Sequence, residues 1–313
     1  MASRQITNTI LMIRPVQFRM NEETAVNNYF QEDISLKNDE INTKAQQEFD
    51  DFVAKLRAVG VNVIVENDDM KGNTPDSVFP NNWVSFHESG NVALYPMFAE
   101  NRRRERREEV LIRLESEGFT INNIVDYTEA EDEDVFLEGT GSILMDRQNE
   151  RAYCALSARA DESLFIEFCE DFEYTPVVFT ANQTVDGKRL PIYHTNVMMC
   201  LAEEFCVICL DTIDDKKERK NVLKHLKETG KQVISITEEQ MHHFAGNMLQ
   251  VLGADDKKYL VMSADAHQSL TKDQVNKIEK HCEILSSDLS TIETCGGGSA
   301  RCMMAEVFLP KEE

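Results

Sequence analysis

The sequence predicts an α/β fold of five similar units closed into a ring, with helices outside and strand entrances at a shared axis. Three observations carry this. Helices alternate with short strands along the whole chain. Five positions where a polar or glycine-bearing turn enters an apolar strand, Asn82, Gly141, Asn196, Asn247 and Cys302, are separated by 59, 55, 51 and 55 residues. Each interval holds one helix, so the period marks repeats of a single supersecondary unit. An open doubly wound sheet does not explain the second strand, with the same kind of entrance, after each helix–strand pair. No linker rich in Pro, Gly or Ser divides the chain, so residues 1–313 form one domain.

The elements follow in order. Thr9–Val16 is rich in strand formers. A helix over Ala45–Val59 sets Phe49, Phe52, Val53 and Leu56 at helical spacing before Gly60, and Val61–Val65 reads as a buried strand. Asp76–His87 is a loop entering a strand. The second unit has a helix over Arg103–Ser116, a strand at Ile121–Val125, the acidic loop Glu129–Asp134 and the segment Phe136–Asp146. Next come a helix near Asp161–Asp171, the strand Val177–Phe179 and the segment Tyr193–Cys200. The fourth and fifth helices, Lys217–Glu228 and Lys272–Cys282, lead through Val233–Ile236 and Phe244–Val251, and through Ile292, to a last strand-like stretch, Glu293–Pro310.

Composition excludes several classes. A net charge of −23 leaves no basic surface for a sequence-independent grip on nucleic acid. No stretch approaches the roughly 18 apolar residues of a membrane span. The start, Met1-Ala2-Ser3-Arg4-Gln5, runs into a strand-like segment without the apolar core of a signal peptide, so a cytoplasmic location is expected. Eight cysteines in 313 residues are no disulfide framework. Cys206 and Cys209 lie on a strand-like stretch, where i and i+3 face opposite ways, and His242 and His243 read as surface residues. With no ligand spacing such as His-Glu-x-x-His, neither metal nor cofactor is expected.

If the strand entrances converge, Asn81, Asn82, Glu138, His194, Asn196 and Cys302 meet at the axis. A cysteine needs thiolate character to attack, and a nearby histidine supplies activation and a proton shuttle. A carboxylate such as Glu138 can orient a polar substrate or fix the histidine's charge. Each residue also has a structural reading: Cys302 as core packing, His194 as a satisfied buried histidine, Glu138 as turn polarity.

At these residues the chain resembles the guanidine-modifying superfamily of arginine deiminases, dimethylarginine hydrolases and amidinotransferases, the pentein fold of five α/β blades. Asp76 to Asn82 resembles the hydrolases' Asp-x-Val-Phe-x-acid-acid pattern, and Glu138-Gly139-Thr140-Gly141 resembles Glu-Gly-Gly-Asp. His194-Thr195-Asn196 resembles His-x-Asp, and Gly298 to Cys302 resembles the terminal Gly-Gly-x-x-Cys. The resemblance implies Cys302 as nucleophile, His194 as general acid/base and Glu138 as third catalytic member. It further implies Arg159 and Arg102 as anchors for a substrate carboxylate, although the run Arg102–Arg107 is also what a charged helix face looks like. Asp76 is expected to receive the substrate's α-amino group.

The departures from the pattern bear on substrate. In deiminases, carboxylates at the positions of Asn82 and Asn196 hold a cationic guanidinium; here both are amides, which suit the C=O and N–H of a neutral urea. The expected substrate is a small molecule, citrulline, as in a bacterial citrulline-using subgroup (citrulline ureidase), hydrolysed to ornithine, carbon dioxide and ammonia. Alternatives are an arginine or dimethylarginine deiminase, an amidinotransferase, and a non-catalytic binding protein on the same propeller. Homo-oligomerisation is left open.

Overall fold

The computed structural model describes residues 3–311; Met1 and Ala2, which head the polar start, and Glu312 and Glu313 lie outside the described residues. Five three-stranded sheets share one plan, in which an inner strand runs antiparallel to a middle strand and the middle strand runs parallel to an outer one. Helical segments cross from middle to outer strand in each blade, as a parallel connection requires.

The first blade is made of both ends of the chain. Thr9–Arg14 pairs parallel with Asn62–Asn67 and antiparallel with the C-terminal inner strand Ala305–Glu306. Thr7 Oγ1 donates to Val307 O at 3.0 Å across the same seam. The ring is thus closed by strand pairing between the chain's two ends, and the C-terminal pairing that closes it directly follows Cys302.

Helix Asn38–Ala58 buries Ile41, Ala45, Phe49, Phe52, Val53 and Leu56 against Ile10, Met12 and Val63 of its own blade. Gly60 follows at φ +88°, a conformation glycine adopts without strain. In the later blades Asp161, Asp215 and Thr271 cap helices Glu162–Asp171, Lys216–Glu228 and Lys272–Ile278, each side-chain oxygen accepting a backbone N–H of the first turn.

Several boundaries differ from the sequence expectation. The helix expected over Arg103–Ser116 is two, Glu100–Arg103 and Glu108–Ser116. Arg106, in the break, turns inward to donate to Glu131 and Tyr95 O. The helix expected to reach Cys282 stops at Ile278, and a strand, Glu283–Ser287, follows it. An additional hairpin, Asn182–Val185/Lys188–Pro191, turns at Asp186-Gly187, a dipeptide suited to a two-residue connection. Glu293–Pro310 is not one strand. Ser290–Gly296 is helical, Gly297 is left-handed at φ +61°, and the chain turns through Cys302 before a short strand at Ala305–Glu306.

Replacing Phe52, which is fully buried in the first blade, by alanine is expected to cost about 3–5 kcal/mol by transfer and cavity terms. Urea unfolding of the parent and of Phe52→Ala checks this, with a lowered midpoint and an unchanged slope.

Candidate active site

Short helical turns deliver the chain into inner strands at the axis: Pro80–Asn82, Gly139–Ser142 and Thr195–Met198, with looser turns at residues 244–247 and 299–303. Two glycines make the assembly feasible. A Cβ on Gly139, which sits at φ +42°, would lie 2.4 Å from Asn81 O. One on Gly141 would lie 2.5 Å from Asn82 Nδ2 and 2.8 Å from His194 Nδ1, so the missing side chain is what lets these two groups stand together.

Glu138 has no exposed surface. Its Oε2 lies 2.7 Å from His194 Nε2, and Oε1 accepts the Phe98 N–H at 3.0 Å. Arg159 Nη1 and Arg102 Nη1 stand 3.6 and 3.9 Å from Oε2. Burial alone would raise the carboxyl's pKa, but Arg159, His194 and Arg102 outweigh it and hold it down at about 2. For His194 burial dominates: aided by the two arginines, and against the pull of Glu138, it lowers the imidazole to about 4. At neutral pH the pair is therefore a carboxylate and a neutral imidazole. We assign the proton to Nε2 because Nε2 faces the carboxylate, which leaves a lone pair on Nδ1. Nδ1 is buried and has no hydrogen-bond partner within the protein.

Arg102 sets the next group. Its Nε and Nη2 donate to the two oxygens of Glu105 at 3.0 and 2.9 Å, Nη2 also reaches Phe79 O, and Nη1 donates to Asn82 Oδ1 at 2.8 Å. Because a guanidinium only donates, the Asn82 oxygen must face Arg102 and the amide nitrogen must face the axis. That Nδ2 is buried and unpartnered. Arg102, expected to anchor a substrate carboxylate, directs most of its donors to the protein and orients Asn82, while it also lines the cavity that Cys302 lines.

Cys302 is 3% exposed, with Asn247 Nδ2 at 3.2 Å and Asn196 Nδ2 at 3.5 Å from Sγ. Asn81 Nδ2 donates to Thr140 Oγ1, and its Oδ1 is free. Asp76 Oδ2 accepts from Asn21 and Thr24, while Oδ1 has no partner. Asp76, Asn82, Tyr193, His194 and Cys302 line one narrow cavity. The axis therefore holds a thiol, an imidazole with a free lone pair and a free amide donor, a set that can add a sulfur to a polarised carbon and shuttle a proton.

A strap that sequence reasoning missed closes this cavity. Arg159 donates to Asn27 Oδ1 and Thr24 O, and Asn28 Nδ2 donates to the carbonyls of Gly296 and Gly297. Tyr193 Oη also bonds Gly297 O. This stretch, residues 21–31, carries neither helical nor strand periodicity, and no motif in the sequence pointed to it.

A five-bladed α/β ring with this axis is the fold of the guanidine-modifying superfamily. Residues 14–309 match the family model described as N,N dimethylarginine dimethylhydrolase, eukaryotic, and the chain belongs to that family. The solved structures it resembles include ArgZ, an arginine dihydrolase from the ornithine–ammonia cycle in cyanobacteria, with a TM-score of 0.74, 18% identity, and coverage of 97% of this chain and 41% of ArgZ. A variant of AgrE in complex with L-arginine matches at 0.72 and 18%, over 97% of this chain and 41% of AgrE. A dimethylarginine dimethylaminohydrolase adduct with S-methyl-L-thiocitrulline matches at 0.62 and 15%, over 96% and 99%. The chain thus spans about two fifths of ArgZ and AgrE. No curated protein sequence matches it.

Two outcomes follow from this geometry. Between about pH 6.5 and 4 the unfolded chain holds a proton on His194 that the folded protein lacks, so stability is lost as the pH is lowered through that window. His87, buried and lowered by desolvation, adds to the slope. Urea melts at pH 7 and pH 5 are expected to show His194→Gln with a shallower decline, by up to about 1.4 kcal/mol per pH unit. Gly141→Ala, which drives a methyl against Asn82 and His194, is expected to fold and to lose about 100-fold or more in turnover, read as kcat beside a thermal melt.

Proposed function

We propose that the protein hydrolyses the ureido group of citrulline to ornithine, carbon dioxide and ammonia, with Cys302 as nucleophile, His194 as acid/base and Glu138 as its partner. The observation that carries this reading is the orientation of Asn82. Its oxygen is held by Arg102 and its N–H groups face the cavity unpartnered. An N–H donor meets its complement in a ureido oxygen. Against a guanidinium, which presents only N–H groups, donor would face donor.

In this mechanism His194 Nδ1 accepts the thiol proton as Sγ bonds to the ureido carbon, and the carbonyl π electrons move to the oxygen, where Asn82 donates. The tetrahedral adduct collapses, and His194 returns the proton to the departing nitrogen. A water then attacks the thioester-like carbon, giving its proton to Nδ1. The C–S bond breaks, the sulfur recovers its proton from His194, and the carbamic acid released transfers its acid proton to its nitrogen as the remaining C–N bond breaks, giving carbon dioxide and the second amine. Citrulline and one water account for every atom of ornithine, carbon dioxide and ammonia. The covalent intermediate is in keeping with an ArgZ variant described as covalently bonded to a reaction intermediate. For the amino-acid tail, Asp76 Oδ1 takes the α-amino group, and Arg159 takes the α-carboxylate once Asn27 and Thr24 release it. All eight cysteines are free, as suits a reducing cytoplasm. Among the described residues no helix is long and apolar enough to cross a membrane, and no three His, Cys, Asp or Glu side chains are grouped so as to hold a metal ion.

Hydrolysis of arginine or a methylated arginine is the second reading, favoured by the family's description and by the arginine named for ArgZ and AgrE. Incubation with citrulline, arginine, dimethylarginine and agmatine separates the two. Ornithine from citrulline alone is expected, and consumption of arginine at a comparable rate overturns the proposal. Asn82→Asp is expected to lower kcat/KM for citrulline by about 10²-fold or more, by setting an acceptor against the ureido oxygen. Asp76→Ala is expected to raise KM about tenfold with a smaller change in kcat.

A further inference from the structure

Asn247 is one of the five repeat positions at the axis, and the reaction just described leaves it without a role. Its fully buried side chain sits at the junction of three backbone segments. Oδ1 accepts the Arg301 N–H at 3.0 Å, and Nδ2 donates to Asn196 O at 3.0 Å and to Cys302 Sγ at 3.2 Å. The orientation of this amide is fixed from both ends. A backbone N–H can only be met by Oδ1, and a backbone carbonyl can only be met by Nδ2. One N–H is therefore used on Asn196 O and the other points at sulfur. Asn196 lacks this definition: its Nδ2 is 3.5 Å and its Oδ1 3.8 Å from the same sulfur, so either end can be presented.

The chain goes to some length to bring Asn247 there. Phe244 adopts φ +57°, unusual for a bulky residue. Gly246 packs so closely on the preceding unit that a Cβ would lie 2.3 Å from Val197 O. Both features press the turn at residues 244–247 toward the axis. A hydrogen-bond donor aimed at a sulfur favours its negative form over its neutral one.

We infer that Asn247 is a catalytic residue that stabilises negative charge on the Cys302 sulfur, both as the thiol gives up its proton in the attack and as the sulfur departs from the carbonyl carbon. The inference rests on Cys302 being the nucleophile but not on the identity of the substrate. Its test therefore begins without substrate. The 240 nm absorbance of the thiolate is titrated in the parent, in Asn247→Ala and in Asn247→Ser, each against the same protein carrying Cys302→Ser. Two variants are used because one of them can fail to fold, which a thermal melt reveals. The thiolate signal of a folded variant is expected to appear at least about one pH unit higher than in the parent. With whichever substrate the enzyme turns over, kcat is expected to fall about 10- to 100-fold with KM within about threefold. An unchanged thiolate titration in a folded variant overturns the inference, whatever happens to turnover, and leaves Asn247 as a tie between backbone segments. Failure of the citrulline assay would leave this titration unaffected.

Discussion

A carboxylate without any exposed surface, Glu138, is the constraint on which the axis depends. An isolated buried charge would neutralise itself by taking a proton. Glu138 stays charged because an N–H, an imidazole and two guanidinium groups surround it. The same carboxylate fixes which nitrogen of His194 carries the proton, and so which one is free. Its two arginines then differ in what they do next: Arg102 turns to Glu105 and Asn82, and Arg159 turns to the strap.

Polar groups at the axis are consequently arranged in layers of dependence. Glu105 orients Arg102, Arg102 orients Asn82, and Gly141 leaves room for Asn82 beside His194. On the far side, Arg301 and Asn196 backbone groups orient Asn247, which faces Cys302. Most of these polar atoms are satisfied, as buried groups must be. Four atoms at the axis lack partners, and three of them, His194 Nδ1, Asn82 Nδ2 and Asp76 Oδ1, belong to residues that line the same cavity, whereas Asn81 Oδ1 lies outside it. Three unpaired polar atoms around one cavity are what a site awaiting a polar ligand looks like, because each costs free energy until a partner arrives.

The repeat period was legible in the sequence because each blade must solve the same packing problem with the same order of elements. Where the pattern misled, a tertiary partner had overridden local preference. Arg106 breaks a helix to reach Glu131. The glycines before Cys302 end a helix and let Tyr193 and Asn28 reach their carbonyls, so they read like a strand entrance without being one. The strap stayed hidden because its asparagines bond to residues far away in sequence.

By itself the sequence determined the fold class, through periodicity, and the residue types at the axis, through spacing: a cysteine, a histidine, a glutamate and a set of amides where carboxylates were expected. Tertiary structure alone decided how those side chains are turned. Whether Asn82 offers an oxygen or a nitrogen, whether Arg102 faces substrate or protein, and which amide touches Cys302 all depend on hydrogen-bond partners contributed by other turns and blades. Direction is a property of such partnerships, and no local stretch of sequence contains both members.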